Sequence, residues 1–368
     1  MSSSSKNDHL PWIEKYRPKK LHDLVQDPKL IDIFTDYINT GNMSHLLFYG
    51  PPGTGKTSAI LAICREIFKE YYSSRVIEFN ASDDRGINAV RDKISNDAKK
   101  MVSNSMCSDG TMIPAYKVII LDEADAMTDE AQDALRVIIE KYSSVTRFCF
   151  ICNYICKITD AIKSRCYSVY FKKLETQCVI DKLSLIAKKE NISLQPDIYD
   201  HIVEISNGDM RKAIMMLQNL KYFYHLKKKS CSLIRDLSDK ELKNIDTLYR
   251  SDKFNTEEIT EKEVYNLFAY IDKEHAGKII TKIMAAKSVC DLVKIGKNIM
   301  ALGYPIDNVL SQMTSLILSH NKISDLKKAT IIKYSSKILY RMKMSSNEYI
   351  QLLDYITYIN DVCKQKNI

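Results

Sequence analysis

Gly50-Pro51-Pro52-Gly53-Thr54-Gly55-Lys56-Thr57 is the stretch that decides the fold. It has the spacing G-x-x-x-x-G-K-[ST]. Before it stands an apolar run, His45-Leu46-Leu47-Phe48-Tyr49, that reads as a buried strand. After it, Ile60, Leu61, Ile63, Cys64, Ile67 and Phe68 recur at helical spacing. Strand, glycine-rich turn and helix form the frame that a phosphate cradle needs: the glycines let the backbone curl so that successive N–H groups point at phosphate oxygens, and the helix N-terminus adds partial positive charge. In such a cradle Lys56 reaches the β- and γ-phosphates and Thr57 offers its hydroxyl to Mg2+. The chain has only ten glycines, and Gly50, Gly53 and Gly55 are three of them. Backbone freedom is concentrated at this one turn.

Working outward, Val76 to Phe79, Val118 to Leu121, Thr146 to Cys152 and Cys166 to Phe171 read as further strands, and helical patterns alternate with them. That alternation predicts a parallel sheet with crossover helices. Val118-Ile119-Ile120-Leu121 is the run expected of a strand buried on both faces. It ends in Asp122-Glu123-Ala124-Asp125, which places carboxylates at the C-terminal end of a parallel strand, where ligands of open α/β sheets bind. Asp122 is the candidate to hold Mg2+ through water, and Glu123 to polarise the attacking water. Asp125 reads as a cap or solvated acid of the next helix, for which Thr128 is the expected N-cap. Residues 103 to 115, rich in Ser, Asn, Asp, Gly and Pro, read as a loop.

The 368 residues suggest about two to three domains. With 45% hydrophobic and 27% charged residues the composition is that of an ordinary globular protein and excludes a disordered chain. There is no apolar run of about 18 residues, so no membrane span is expected, and the polar N-terminus predicts no secretory signal. A net charge of +8 permits a nucleic-acid partner without requiring one. Ten cysteines without a signal sequence are expected to stay reduced. Cys149, Cys152 and Cys156 lie in or beside an apolar strand with no nearby His, and are expected to be buried thiols rather than metal ligands. The predicted organisation is a tail (1–9), an α/β nucleotide-binding domain (10–172), a small helical domain (173–226), a polar linker or insertion (227–258) and a helical C-terminal domain (259–368).

Several motifs, in order, resemble the small subunits of replication factor C, the eukaryotic clamp loader, within the AAA+ ATPases. They are Pro11-Trp12-Ile13-Glu14-Lys15-Tyr16-Arg17-Pro18, the loop Gly50 to Thr57, Asn80-Ala81-Ser82-Asp83-Asp84-Arg85-Gly86, Leu121 to Thr128, Arg147 to Tyr154, Ser164-Arg165-Cys166 and Asn207-Gly208-Asp209-Met210-Arg211. The match covers residues 10 to 220. The Ala126-Met127 and Cys152-Asn153-Tyr154 details look most like the small subunit numbered five in animals and three in budding yeast. Asp122 to Asp125 also spells the DEAD-box helicase motif, but the Pro-Pro loop and the absence of helicase motifs downstream speak against that family.

The resemblance implies an α/β plus all-α fold: an AAA+ P-loop parallel-sheet domain, a helical lid and a C-terminal helical collar. It implies ATP and Mg2+ as cofactors, and as partners the other replication factor C subunits, the sliding clamp PCNA and primer–template DNA, in the nucleus and with no membrane. It implies catalytic roles for Lys56, Glu123, Asn153 as sensor 1, Arg211 as sensor 2, and Arg165 as an arginine finger that serves a neighbour's site in trans. The nucleotide would be held by Gly50, Pro51, Pro52, Gly53, Thr54, Gly55, Lys56, Thr57 and Ser58, with Tyr16, Arg17 and Pro18 on the adenine side. Arg85, Arg91 and Lys93 are implied DNA-phosphate contacts. Val137 stands where the family usually has a second Arg, and residues 97 to 115 diverge from the segment that approaches the clamp, so neither contact is carried over. Two other readings remain at this stage: a homo-oligomeric AAA+ remodeller or helicase, and a nucleotide-binding scaffold that does not hydrolyse.

Overall fold

The computed structural model describes residues 10–81, 87–103, 105–108, 110–235, 259–321, 323–344 and 346–364, and for 87–92 and 227–235 only the backbone. The expected tail, 1–9, and much of the expected linker, 236–258, lie outside the described residues. The chain divides into two units, Met1–Leu226 and Lys227–Ile368.

The first unit is organised by strands β1 (Leu46–Tyr49), β2 (Val76–Asn80), β5 (Lys117–Asp122), β6 (Thr146–Cys152) and β7 (Tyr167–Tyr170), all paired in parallel in the order β2-β5-β6-β1-β7. The pleat sends alternate residues to opposite faces. Val118, Ile120, Cys149 and Ile151 join the core on one face, and Ile119, Leu121, Phe148 and Phe150 join the core on the other. Helices cover both faces, which is why these strands read as unbroken apolar runs. β5, β6 and β1 are neighbours, so the chain segments that leave their C-terminal ends emerge side by side at one edge.

The first unit's helices are α1 (Trp12–Lys15), α2 (Pro28–Thr40), α3 (Lys56–Phe68), α4 (Tyr72–Arg75), α5 (Ile87–Lys99), α6 (Asp129–Tyr142), α7 (Asp160–Lys163), α8 (Thr176–Lys189), α9 (Pro196–Ser206) and α10 (Met210–Arg235), the last running on beyond Leu226. α6 starts where the sequence predicts, with the Thr128 hydroxyl accepting from Ala131 N at 3.4 Å. α8 and α9 pack together and, with α10, form the lid.

Three expectations need correction. The 103–115 loop contains a small antiparallel hairpin, β3 (Ser105–Met106) with β4 (Met112–Ile113), turned through Gly110 at φ +79°. α10 carries on to Arg235, inside the segment expected to be a polar linker: Lys, Ser and Cys side chains do not break a helix that is already nucleated. Cys149 and Cys152 are buried strand residues, with burial pushing the Cys152 thiol up to about 12, but Cys156 lies exposed in the turn after β6.

The second unit is six described helices: α11 (Glu261–Leu267), α12 (Lys273–Ala285), α13 (Val289–Ala301), α14 (Ile306–Ser319), α15 (Asp325–Lys343) and α16 (Glu348–Lys364). Ile283, Leu310, Ile331, Ile338, Leu352 and Ile356 form its fully buried centre. The buried Asn360 amide donates to Ile283 O at 2.5 Å and Ala286 O at 3.1 Å, tying α16 to the end of α12. No helix among the described residues is long and apolar enough to cross a membrane.

Candidate functional site

Two glycines explain the shape of the 50–57 loop. A Cβ on Gly50, at φ +141°, would lie 2.3 Å from Phe171 O; one on Gly53, at φ +69°, would lie 1.8 Å from Asp209 Oδ1. Both positions combine a left-handed backbone with close approach by another segment. The loop then turns directly into α3, whose first residue is Lys56.

Lys56 is buried, and its ammonium donates to Gly50 O at 2.8 Å, Pro51 O at 2.8 Å and Asn153 Oδ1 at 3.0 Å. Burial is the main influence lowering its pKa, Asp122 opposes that, and Arg211 adds to it. A desolvated cation with another cation in electrostatic reach is a setting that an anionic ligand would stabilise. Thr57 Oγ1 donates to Asp122 Oδ2 at 2.8 Å, and Glu123 N donates to Asp122 Oδ1 at 2.9 Å. A hydroxyl and a carboxylate meeting at this distance are the hard oxygen donors that suit Mg2+. Glu123 itself sits at φ 56°, ψ 37°, a left-handed conformation that costs a non-glycine residue about 1–3 kcal/mol. Its exposed carboxylate takes no hydrogen bond among the described residues. Asp125 differs from the expectation of a helix cap. Its carboxylate accepts from Asn153 N at 3.4 Å and Tyr154 N at 3.3 Å, and so fixes the end of β6 from which Asn153 projects.

Next to this phosphate end lies a pocket lined by Tyr16, Arg17, Pro18, Thr54, Ser58 and Arg211, among others. The structure thus brings the three adenine-side candidates to the same cavity as the loop and the lid arginine. The lid is joined to the loop directly: Met210 N donates to Gly53 O at 3.2 Å, and Asp209 caps α10 by accepting from Arg211 N at 2.9 Å and Lys212 N at 3.2 Å.

Sequence reasoning missed the residue that holds the far wall of this pocket. Glu190, at the end of α8, accepts from Lys15 Nζ at 2.6 Å, Tyr16 OH at 2.5 Å and Lys221 Nζ at 2.6 Å. Burial raises its pKa, but those three donors outweigh it and hold the carboxyl down at about 2. One signal was present: an acid directly after Lys188-Lys189 stands at the negative end of the helix dipole, where acids are disfavoured, and so calls for a tertiary partner. Trp12, the only tryptophan of the chain, is buried beside this cluster, with Lys221 Nζ 5.3 Å from its ring centre.

Other candidates are not brought to the site. Arg165 is paired at the surface with Glu140, its Nε 2.8 Å and its second guanidinium nitrogen 2.5 Å from Oε1, and also donates to Ala161 O at 2.7 Å. Lys93 is exposed on α5 with its ammonium 5.5 Å from the Phe79 ring centre. Arg85 and the side chain of Arg91 lie outside the described residues.

Three families match in order along the chain: the ATPase family associated with various cellular activities over residues 46–174, the RCF1/5-like AAA+ ATPase lid domain over 181–221, and the replication factor C C-terminal domain over 271–358. These correspond to the P-loop domain, the lid and a helical collar. The chain is 56% identical to a protein of Acanthamoeba polyphaga mimivirus described as a replication factor C small subunit, over 97% of this chain and 98% of that one. It is 37% identical to replication factor C subunit 4 of Arabidopsis thaliana, covering 94% of this chain and 93% of that one. Against a Dictyostelium discoideum protein described as replication factor C subunit 5 the identity is 47%, over 58% of this chain and 60% of that one. These relatives carry different subunit numbers and single out no one subunit.

Proposed function

The chain belongs to the replication factor C family of AAA+ ATPases, and from that premise we propose that it is an ATP-binding subunit of a DNA clamp loader. In a hetero-pentamer with other replication factor C subunits it opens the sliding clamp PCNA and loads it onto primer–template DNA, in the nucleus. The observation that carries this reading is a site complete except for one group. Lys56, Thr57, Asp122 and Asn153 are joined by hydrogen bonds at one sheet edge, while Arg165 faces outward on the surface, held by Glu140. An arginine held this way suits a finger offered to a neighbour's nucleotide.

When ATP enters, Lys56 exchanges the loop carbonyls for the β- and γ-phosphates, and Asn153, released from Lys56, is free to orient the attacking water. Glu123 polarises that water from its strained turn. Arg211 reaches the γ-phosphate from the lid. Thr57, and Asp122 through water, would hold Mg2+, which when bound would supply charge neutralisation for the transferring phosphoryl group. Within the family, the Ala126-Met127 and Cys152-Asn153-Tyr154 details support the small subunit numbered five in animals and three in budding yeast.

The test is assembly with partner subunits followed by native mass and clamp loading on primed DNA. A hetero-pentamer that loads the clamp in the presence of ATP is expected. A homo-hexamer of this chain would favour the remodeller reading instead, and a pentamer whose loading is unaffected by Glu123→Gln would favour a non-hydrolysing scaffold.

A further inference from the structure

We propose that Glu190 is a positioning residue for nucleoside binding: its buried carboxylate latches the Trp12–Tyr16 segment to the lid, so that the Tyr16–Pro18 wall of the pocket follows the lid rather than the sheet. The inference rests on the reading that the pocket takes ATP.

The three donors to Glu190 come from separate places. Lys15 and Tyr16 belong to the N-terminal segment, Lys221 to α10, and the carboxylate itself to the end of α8. The Glu190 side chain is only 7% exposed, and those of Lys15 and Lys221 are 23% and 25% exposed. Charges this far out of water persist only when they are paired, and removal of the acid would leave two ammonium groups facing each other. A second strut runs parallel to the first: Trp12 N donates to Gln218 Oε1 at 3.1 Å, and Gln218, like Lys221, is on α10. Arg211, which lines the same pocket, is near the start of that helix. One helix therefore carries Lys221 and Gln218, the lid-side partners of both struts, and Arg211 of the pocket. Tyr16 is the link between the two, because its hydroxyl is bound to Glu190 while the residue lines the pocket beside Thr54 and Ser58.

The latch acts on the nucleoside end and leaves the phosphate cradle alone, and this gives the test. Binding of ATP and of tripolyphosphate is measured for the full chain, for Glu190→Gln, for Tyr16→Phe and for the double variant. Glu190→Gln is expected to weaken ATP roughly tenfold, as for loss of a charge-assisted hydrogen bond, and to leave tripolyphosphate unchanged. Tyr16→Phe, which keeps the ring and removes one oxygen, is expected to weaken ATP in the same sense, and the double variant to be no worse than Glu190→Gln alone. Equal losses for ATP and tripolyphosphate, additive losses in the double variant, or ATP affinity unchanged in both single variants would each overturn the latch. A wild-type chain that binds tripolyphosphate but shows no preference for ATP would overturn the nucleotide reading itself, and is recognised before any variant is compared.

Discussion

The two ends of the nucleotide pocket are built by different rules. The phosphate end is local: Gly50 to Thr57 supply a continuous loop, and Asp122 and Asn153 reach it because β5, β6 and β1 lie side by side. The end we assign to the nucleoside is assembled from Tyr16 to Pro18 and from Met210, Arg211 and Ile214 of α10, with Glu190 at the end of α8 bound to the Tyr16 hydroxyl behind it. The first demands particular residue types at fixed spacing, because backbone N–H groups have to face phosphate. The second demands only that distant side chains meet, which many sequences satisfy. Chemistry imposed on the backbone leaves a pattern in the sequence, and chemistry carried by tertiary contact does not.

The strongest way to break this contrast is Lys56→Ala. Removal of the buried ammonium should weaken ATP and tripolyphosphate alike, by on the order of a hundredfold or more, because several charge-assisted bonds to the phosphates disappear together. Titration calorimetry would check it, and wild-type affinity in the variant would remove the phosphate cradle from the account. Next comes Gly53→Ala, at the point where the two ends touch. Its Cβ would have to share space with Asp209 Oδ1 at a φ of +69°. It should lower stability in urea by about 1–3 kcal/mol and weaken ATP at the same time. Stability equal to wild type would mean that the lid does not press on the loop.

A smaller effect sharpens the nucleoside end. The Glu190 pKa is lowered from 4.5 to about 2 in the folded chain, so its contribution to stability is fully present above about pH 4.5 and is lost as pH falls toward 2. The stability difference between wild type and Glu190→Gln should therefore be constant near neutral pH and shrink below 4.5. A difference that grows on acidification would mean that Glu190 is held protonated instead. Smallest of all is the change at the DNA candidates. Replacing Arg85, Arg91 and Lys93 together should weaken primer–template binding of the assembled complex equally across sequences, and flatten the salt dependence by roughly one unit of slope for each phosphate-neutralising cation removed. An unchanged slope would make them ordinary surface charge.

The same contrast explains what could be read from the sequence. The sheet was legible because Val118 to Leu121 and Phe148 to Cys152 are buried on both faces and so carry no polar alternation. The glycine-rich loop and Asp122 were legible because their spacing is fixed by the ligand. The 105–113 hairpin was not, because two-residue strands are too short to show a period. The run of α10 to Arg235 was hidden because Lys-Lys-Lys-Ser suits a solvated helix as well as a linker. Asp125 was misassigned because its partners, the backbone N–H groups of Asn153 and Tyr154, come from the next strand over.

The central claim is that this chain's finger completes a neighbour's site, and Arg165→Ala tests it most directly. ATP affinity of the isolated chain and ATP turnover of the complex reconstituted with wild-type partners are measured side by side. Because Arg165 is paired with Glu140 on the surface, affinity should be unchanged. Turnover at the adjacent subunit's site should fall by about 10³–10⁵, the contribution of an arginine finger supplied in trans. Loss of ATP binding by the isolated variant would place Arg165 in its own chain's site, and undiminished turnover at that adjacent site would remove it from catalysis; either result contradicts the account.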